Sequence, residues 1–308
     1  MRTGFPCVCA LTITLAASGA AAAVLNVGPD QKYTLPSQAI KAATAGDIIR
    51  IAPGTYRDCA AWSKPGLTIE GAGDGAVLAD AICQGKGIFV VSAPDAVVRN
   101  VTFEGAAIDE GNGAGIRADG ASLTVEHCTF RENQDGILTS NLPGATLTIR
   151  DSTFEGNGTC LPNKGCAHGI YVGHIALAHI ENSHFLATRT GHHVKSRAKR
   201  TELVGNTIED GPQGTSSYLV DIPNGGSLLM AGNTLEKGPR TQNPTAAVSI
   251  GEEGGNRPNS EIVIKANTFT NDGPPTVFVH NASKTPAQLS GNVVNGPARL
   301  LVGPGSAD

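Results

Sequence analysis

A single four-point pattern recurs eight times between residues 96 and 294, and it leaves few folds open. The rows close at Phe103, Phe130, Phe154, Phe185, Ile208, Leu235, Phe269 and Val294. Two residues earlier stand Val101, Cys128, Ser152, Ser183, Asn206, Asn233, Asn267 and Asn292; five earlier stand Val98, Val125, Ile149, Ile180, Leu203, Met230, Ile264 and Leu289. Seven earlier come Ala96, Leu123, Leu147, Ala178, Thr201, Leu228, Ile262 and Ala287. Steps of two are the alternation of a strand, and the odd step between the two halves is a one-residue turn that switches which parity faces inward. Row spacing varies from 23 to 34 residues while the inner offsets stay constant, as in a solenoid coil with variable loops.

A third strand precedes each pair, marked by Ile88, Ile116, Ile137, Ile170, Val194, Val220, Val248 and Val277. Three strands per coil stacked in parallel make a right-handed parallel β-helix, an all-β solenoid of about eight to ten coils. The 39 glycines suit its tight turns, and the sparse aromatics and charges suit an interior of stacked aliphatic residues. Asparagine fills the turn column from Asn206 to Asn292, where side-chain amides can bond up the stack. That ladder is structural.

The ends set compartment and boundaries. Residues 1–23 carry Arg2, an apolar run through Leu11, Ile13 and Leu15, and an alanine-rich exit, the pattern of a secretory signal peptide. Residues 24–308 then form a single domain, with 24–56 as N-terminal cap and first strand. The cap contains a short amphipathic helix from Ser37 to Thr44, preceded by Pro36, which covers the open coil edge. A secreted or periplasmic, monomeric product with no membrane span follows. The formal charge of −4 argues against nucleic acid as a partner. An oxidising compartment permits disulfides, for which Cys160–Cys166 is the best pair and Cys59–Cys83 a second; Cys128, in an inward column, reads as a buried packing thiol.

The string Ala45-Gly-Asp-Ile-Ile-Arg-Ile-Ala-Pro-Gly-Thr-Tyr56 after a small helix, followed by repeated I-x-x-S-x-F-x-x-N coils, resembles the secreted right-handed β-helix proteins of the pectin-lyase-like superfamily. The resemblance covers roughly residues 24 to 300. It implies binding of an acidic polysaccharide along the outer face of one parallel sheet, with lysine, arginine, histidine or tyrosine as base or acid. The Ala-His-Gly-Ile-Tyr-Val string at 167–172 also resembles strings in mannuronan epimerases.

The outward columns of the upstream strand are where such chemistry would sit. The middle column reads Phe89, Arg117, Leu138, Tyr171, Lys195, Asp221, Ser249, Phe278; its neighbours read Gly115, Gly136, Gly169, His193, Leu219, Ala247 and Asp119, Ser140, Gly173, Arg197, Pro223, Gly251. With Val194 inside, period two sends His193, Lys195 and Arg197 out together, with Tyr171 one coil below and Asp221 one coil above, about 5 Å away in each case. Glycines beside them would let a ligand lie against the wall, and the Cys160–Cys166 loop would form one side of a cleft.

Eliminative cleavage of a uronate needs its carboxylate neutralised, a base for the C5 proton and a donor for the departing oxygen. Arg197 and Arg117 fit the first role, Lys195 or His193 the second, Tyr171 or His193 the third; Asp221 and His168 complete the substrate contacts. For Lys195 to be a base its pKa must fall, which Arg197 and His193 favour and Asp221 opposes. C5-epimerisation needs the same abstraction. Hydrolysis is disfavoured, because Asp119 and Asp221 lie roughly 19 Å apart at about 4.8 Å per coil, outside the ~5–9.5 Å of glycosidase pairs. No cofactor is implied; Ca²⁺ could be held by Asp109-Glu110 or Glu252-Glu253. The alternative to an enzyme is a polysaccharide-binding or cell-surface solenoid in which Lys195 and Arg197 are solubilising edge charges.

Overall fold

The turn residue between the two strands of each row fixes the coil. Asn100, His127, Asp151, Asn182, Gly205, Gly232, Ala266 and Gly291 all have φ between 48° and 65°, the left-handed region, so one residue bends the chain and reverses its inward parity. The computed structural model describes residues 1, 21–120, 122–254, 257 and 260–308. The signal-peptide expectation therefore lies, for residues 2–20, outside the described residues. Among those described, the strands form one sheet of twelve and two of ten, all stacked in parallel, with the hairpin Thr159–Cys160 and Cys166–Ala167 beside them. The result is a right-handed parallel β-helix with one short helix, Pro36–Ala42, starting on its proline.

The inward column has the register that the sequence predicts. Val98, Val125, Ile149, Ile180, Leu203, Met230, Ile264 and Leu289 pair in succession, and all are buried. Phe103, Phe130, Phe154 and Phe185 stack face to face in the next sheet, with centroids 4.7 to 5.1 Å apart. The asparagine ladder is continuous: the Asn206 amide donates to Asn233, Asn233 to Asn267 and Asn267 to Asn292, at 2.8 to 3.1 Å. Each amide thereby satisfies a buried polar group and ties one coil to the next.

Both disulfides form, Cys59–Cys83 and Cys160–Cys166. Cys128 is a buried free thiol whose pKa burial pushes up to about 12, so it is inert. No helix among the described residues is long and apolar enough to cross a membrane.

The register of the upstream strand needs two corrections at its ends. Phe89, not Ile88, pairs with Ile116 and points inward onto Phe103 and Trp62, so Val90 heads the outer column. At the other end Val279 pairs with Val248 while Phe278 turns in to stack on Phe269, and His280 takes the outer position. At both ends the phenylalanine gains more by reaching the aromatic stack than by facing water.

Candidate active site

The strands Ala114–Ala118, Asp135–Thr139, Ile170–Val172, Val194–Ser196 and Val220–Ile222 lie side by side in one ten-stranded sheet. Register places Arg117, Leu138, Tyr171, Lys195 and Asp221 in one outer column, as period two predicts. Over this face opens a cleft of about 540 Å³, bounded by Arg117, Tyr171 and Arg197, by Asn141 and His174 along one side, and by Gly165 and Cys166 of the disulfide hairpin. The expectation of a hairpin wall is borne out.

The expected triplet of outward side chains does not form. His193 is fully buried, with Nδ1 2.8 Å from Thr188 Oγ1 and Nε2 3.0 Å from Asp210 Oδ1. The strand begins only at Val194, so alternation does not extend back to His193, which lies in the preceding turn. Its glycine column faces inward too: a Cβ on Gly115 would lie 2.9 Å from the Phe130 ring and one on Gly136 2.8 Å from the Phe154 ring. These glycines make room for the phenylalanine stack, not for a ligand, and His193 has no access to one.

Lys195 does point outward, yet only 8% of it is exposed. Its Nζ donates to Asp221 Oδ2 at 2.8 Å and to Glu253 Oε1 at 2.9 Å. Burial pushes against its charge, but Asp221 and then Glu253 outweigh it, and the ammonium is held above its ordinary range. The contest between neighbours is thus decided for the protonated form, which speaks against Lys195 as a base. Asp221 is 4% exposed and committed to Lys195, which corrects its assignment to substrate.

Arg197 uses every nitrogen. Nε donates to Tyr171 Oη at 3.1 Å, Nη1 to Asn224 Oδ1, and Nη2 lies 2.6 Å from Glu253 Oε2. Nε and Nη2 share one edge of the planar guanidinium, so the phenol oxygen and the Glu253 carboxylate sit side by side. Arg117 lines the far end of the cleft, bound through Nε to Asp119 Oδ1 at 2.8 Å. Burial opposes the charge of Asp119, but Lys86, Ser140 and Arg117 overcome it and hold the carboxyl at about 2.

His168 is 3% exposed and belongs to a stack, with its ring 4.8 Å from that of His192, which is 5.2 Å from Tyr218. Backbone N–H groups of His192 and Tyr218 donate to Nδ1 of His168 and His192, so both imidazoles are neutral with the proton on Nε2. Burial, then neighbouring cations, pushes His168 well below its ordinary pKa and His192 to about 3. His168 is therefore a wall element beneath Tyr171, and the substrate contact assigned to it finds no exposed surface.

Two residues of the site escape the sequence pattern. Asp135 borders the cleft, fully buried; Oδ1 accepts from the His168 N–H at 2.7 Å, and Oδ2 meets no partner. Burial, only partly offset by His168 and Arg117, pushes its pKa up to about 8. Its clue was the column Ala114, Asp135, His168, His192, Tyr218, where four polar residues in succession hold the inward parity. The other is Glu253, whose loop folds back onto Lys195 and Arg197. Glu252 beside it accepts from Tyr218 Oη at 2.7 Å and lies 3.0 Å from His280 Nδ1. This pair is thus engaged by cations and donors, which overturns its candidacy for Ca²⁺. No group of three or more potential metal-ligating side chains converges among the described residues.

The chain belongs to the family of proteins with a right-handed β-helix region, whose profile matches residues 55–167 and 162–303. No curated protein matches it by sequence. Among solved structures it is similar to the ORF18 protein of Geobacillus virus E2, with 14% identity over 88% of this chain and 56% of the viral one and a TM-score of 0.57. The chain spans little more than half the length of that protein. It is also similar to an alginate lyase from Paenibacillus sp. FPU-7, with 14% identity over 92% and 99% of the two chains and a TM-score of 0.51. The A-module of the Azotobacter vinelandii mannuronan C-5 epimerase AlgE6 has 15% identity over 88% and 93%, with a TM-score of 0.47.

Proposed function

We propose that this protein is an exported enzyme that cleaves an acidic, uronate-containing polysaccharide by β-elimination in the cleft between Arg117 and Arg197. The observation that carries the reading is the Arg197 Nε–H bond to Tyr171 Oη inside that cleft. The shared alginate-lyase fold, at 14% identity, speaks only for architecture, so the reading rests on this geometry.

A uronate carboxylate beside Tyr171 needs a cation to delocalise the charge that develops when C5 loses its proton, and Arg197 supplies it. With His193 enclosed and Lys195 protonated, Tyr171 Oη is the proton-handling atom. As a phenolate stabilised by Arg197 it removes the C5 proton; the electron pair forms the C4–C5 double bond, the C4–O4 bond breaks, and the new phenol returns its proton to O4. The proton moves from C5 to O4 with no net change at Tyr171. Arg117 meets the carboxylate of a flanking sugar. Epimerisation would require a second donor on the opposite face of the ring, and a single tyrosine held from one side favours elimination.

The test is incubation with alginate, polygalacturonate and heparosan, following the ultraviolet absorbance of the 4,5-unsaturated product. Growth of that absorbance with wild type and its loss in Tyr171→Phe supports elimination. Binding without product across the panel points to a carbohydrate-binding solenoid instead.

A further inference from the structure

The charges around Lys195 and Arg197 do not close without a loop from two coils away. Two cations stand on this part of the wall, and Asp221, 5% exposed in its side chain, is the carboxylate built into the sheet beside them. One positive charge is left over. It is met by Glu253, whose side chain is 46% exposed and which reaches both cations, Oε1 at 2.9 Å from Lys195 Nζ and Oε2 at 2.6 Å from Arg197 Nη2. The main chain of this loop hangs on Gly251 N–H to Ile222 O and Glu253 N–H to Pro223 O, both at 2.9 Å.

We propose that Glu253 is an internal occupant of a carboxylate seat, a self-inhibitory contact that a uronate carboxylate displaces. Its oxygen on Nη2 lies on the guanidinium edge that also holds Tyr171 Oη, so a sugar carboxylate in the same seat brings its own C5, one bond away, next to the phenol oxygen. Exchange of one carboxylate for another leaves the local charge unchanged, and no cation is left bare in the resting protein. Burial disfavours the Glu253 charge, but Lys195 and Arg197 overcome that and hold its pKa below the ordinary value, so the occupant is the carboxylate. The proposal rests on the uronate reading of the cleft and adds that the resting site is already filled.

The experiment is calorimetric titration of wild type, Glu253→Ala and Glu253→Gln with D-glucuronate, and with D-glucose as the uncharged control. Melting curves identify any variant that does not fold, and Glu253→Gln keeps the loop's size if alanine does not. Removal of the occupant is expected to tighten glucuronate binding about tenfold, the gain for a seat closed about 90% of the time, with no change for glucose. Equal or weaker glucuronate binding by the folded variants overturns the proposal. The polysaccharide assay separates the two readings. Tighter glucuronate binding without unsaturated product from any polymer retains the seat and removes elimination. Turnover by wild type with an unchanged KM in both variants retains elimination and removes the occupant.

Discussion

The outer face of one sheet behaves differently along its length. From Arg117 to Tyr171 it is open, with side chains bordering a cleft and a carboxyl oxygen on Asp135 that has no partner. From Lys195 to Asp221 it is closed, with every charge paired and Glu253 laid across the top. Both stretches show the same kind of column in sequence. Charge on a β-helix wall therefore does not mark a site by itself; what marks it is a donor, acceptor or charge whose partner is loosely held or missing. Arg197 belongs to both stretches and is the hinge between them.

The sharpest way to break this contrast is Tyr171→Phe. It should lower turnover about 10²- to 10⁴-fold, the usual range for a proton-transfer group, with the melting temperature nearly unchanged. In the closed stretch the expectation inverts. Asp221→Ala leaves Lys195 buried with only the half-exposed Glu253 to meet it and should cost about 3 kcal/mol in chemical denaturation, at the low end for breaking a buried pair. If Asp221→Ala were harmless to stability, the closed stretch would not be the structural one.

Asp135 extends the comparison to pH. Its folded pKa of about 8 lies above its ordinary 3.8, so the buried group is neutral while the unfolded chain ionises. Such a carboxyl contributes fully below the unfolded value, and stability is lost as pH rises from about 4 to about 8, beyond which the loss levels off. Wild type should therefore fall increasingly behind Asp135→Asn in melting temperature across that window, while the two converge at pH 4. A constant difference would mean that Asp135 is ionised in the fold. The smallest effect belongs to Arg117→Ala: the side chain is 22% exposed and Asp119 keeps Lys86, so the stability cost should stay within about 1 kcal/mol. Its signature is weaker binding of uronate polymers.

The coil register was legible because the inner offsets repeat without exception and a period of two allows one burial pattern. Arg117 and Tyr171 were legible for the same reason, since each follows the inward residue inside an intact strand, and Arg197, one residue past the end of Val194–Ser196, keeps the period of that strand. The errors fall where a strand begins and in the coils at the two ends of the column. His193 precedes the first residue of its strand, Phe89 and Phe278 were drawn to the aromatic stack, and Asp135 shares the parity of the core. Glu253 reaches Lys195 across 58 residues of sequence, a distance that no local period spans. Its pairing adds to that of Asp221 in keeping Lys195 protonated, a question that the sequence left open between Arg197 and Asp221.

One wall of the cleft is made by Cys166, which is also one end of the Cys160–Cys166 bridge. The coils beneath hold together through strand ladders and stacked side chains that need no oxidant, while the hairpin itself is two residues on each side. A chain made in a reducing cytosol should thus stack the same coils under the hairpin yet lack a firm side to its cleft. Folding yield and functional yield would then part company between compartments, and a preparation with faultless circular dichroism could still be short of competent molecules until its thiols are oxidised.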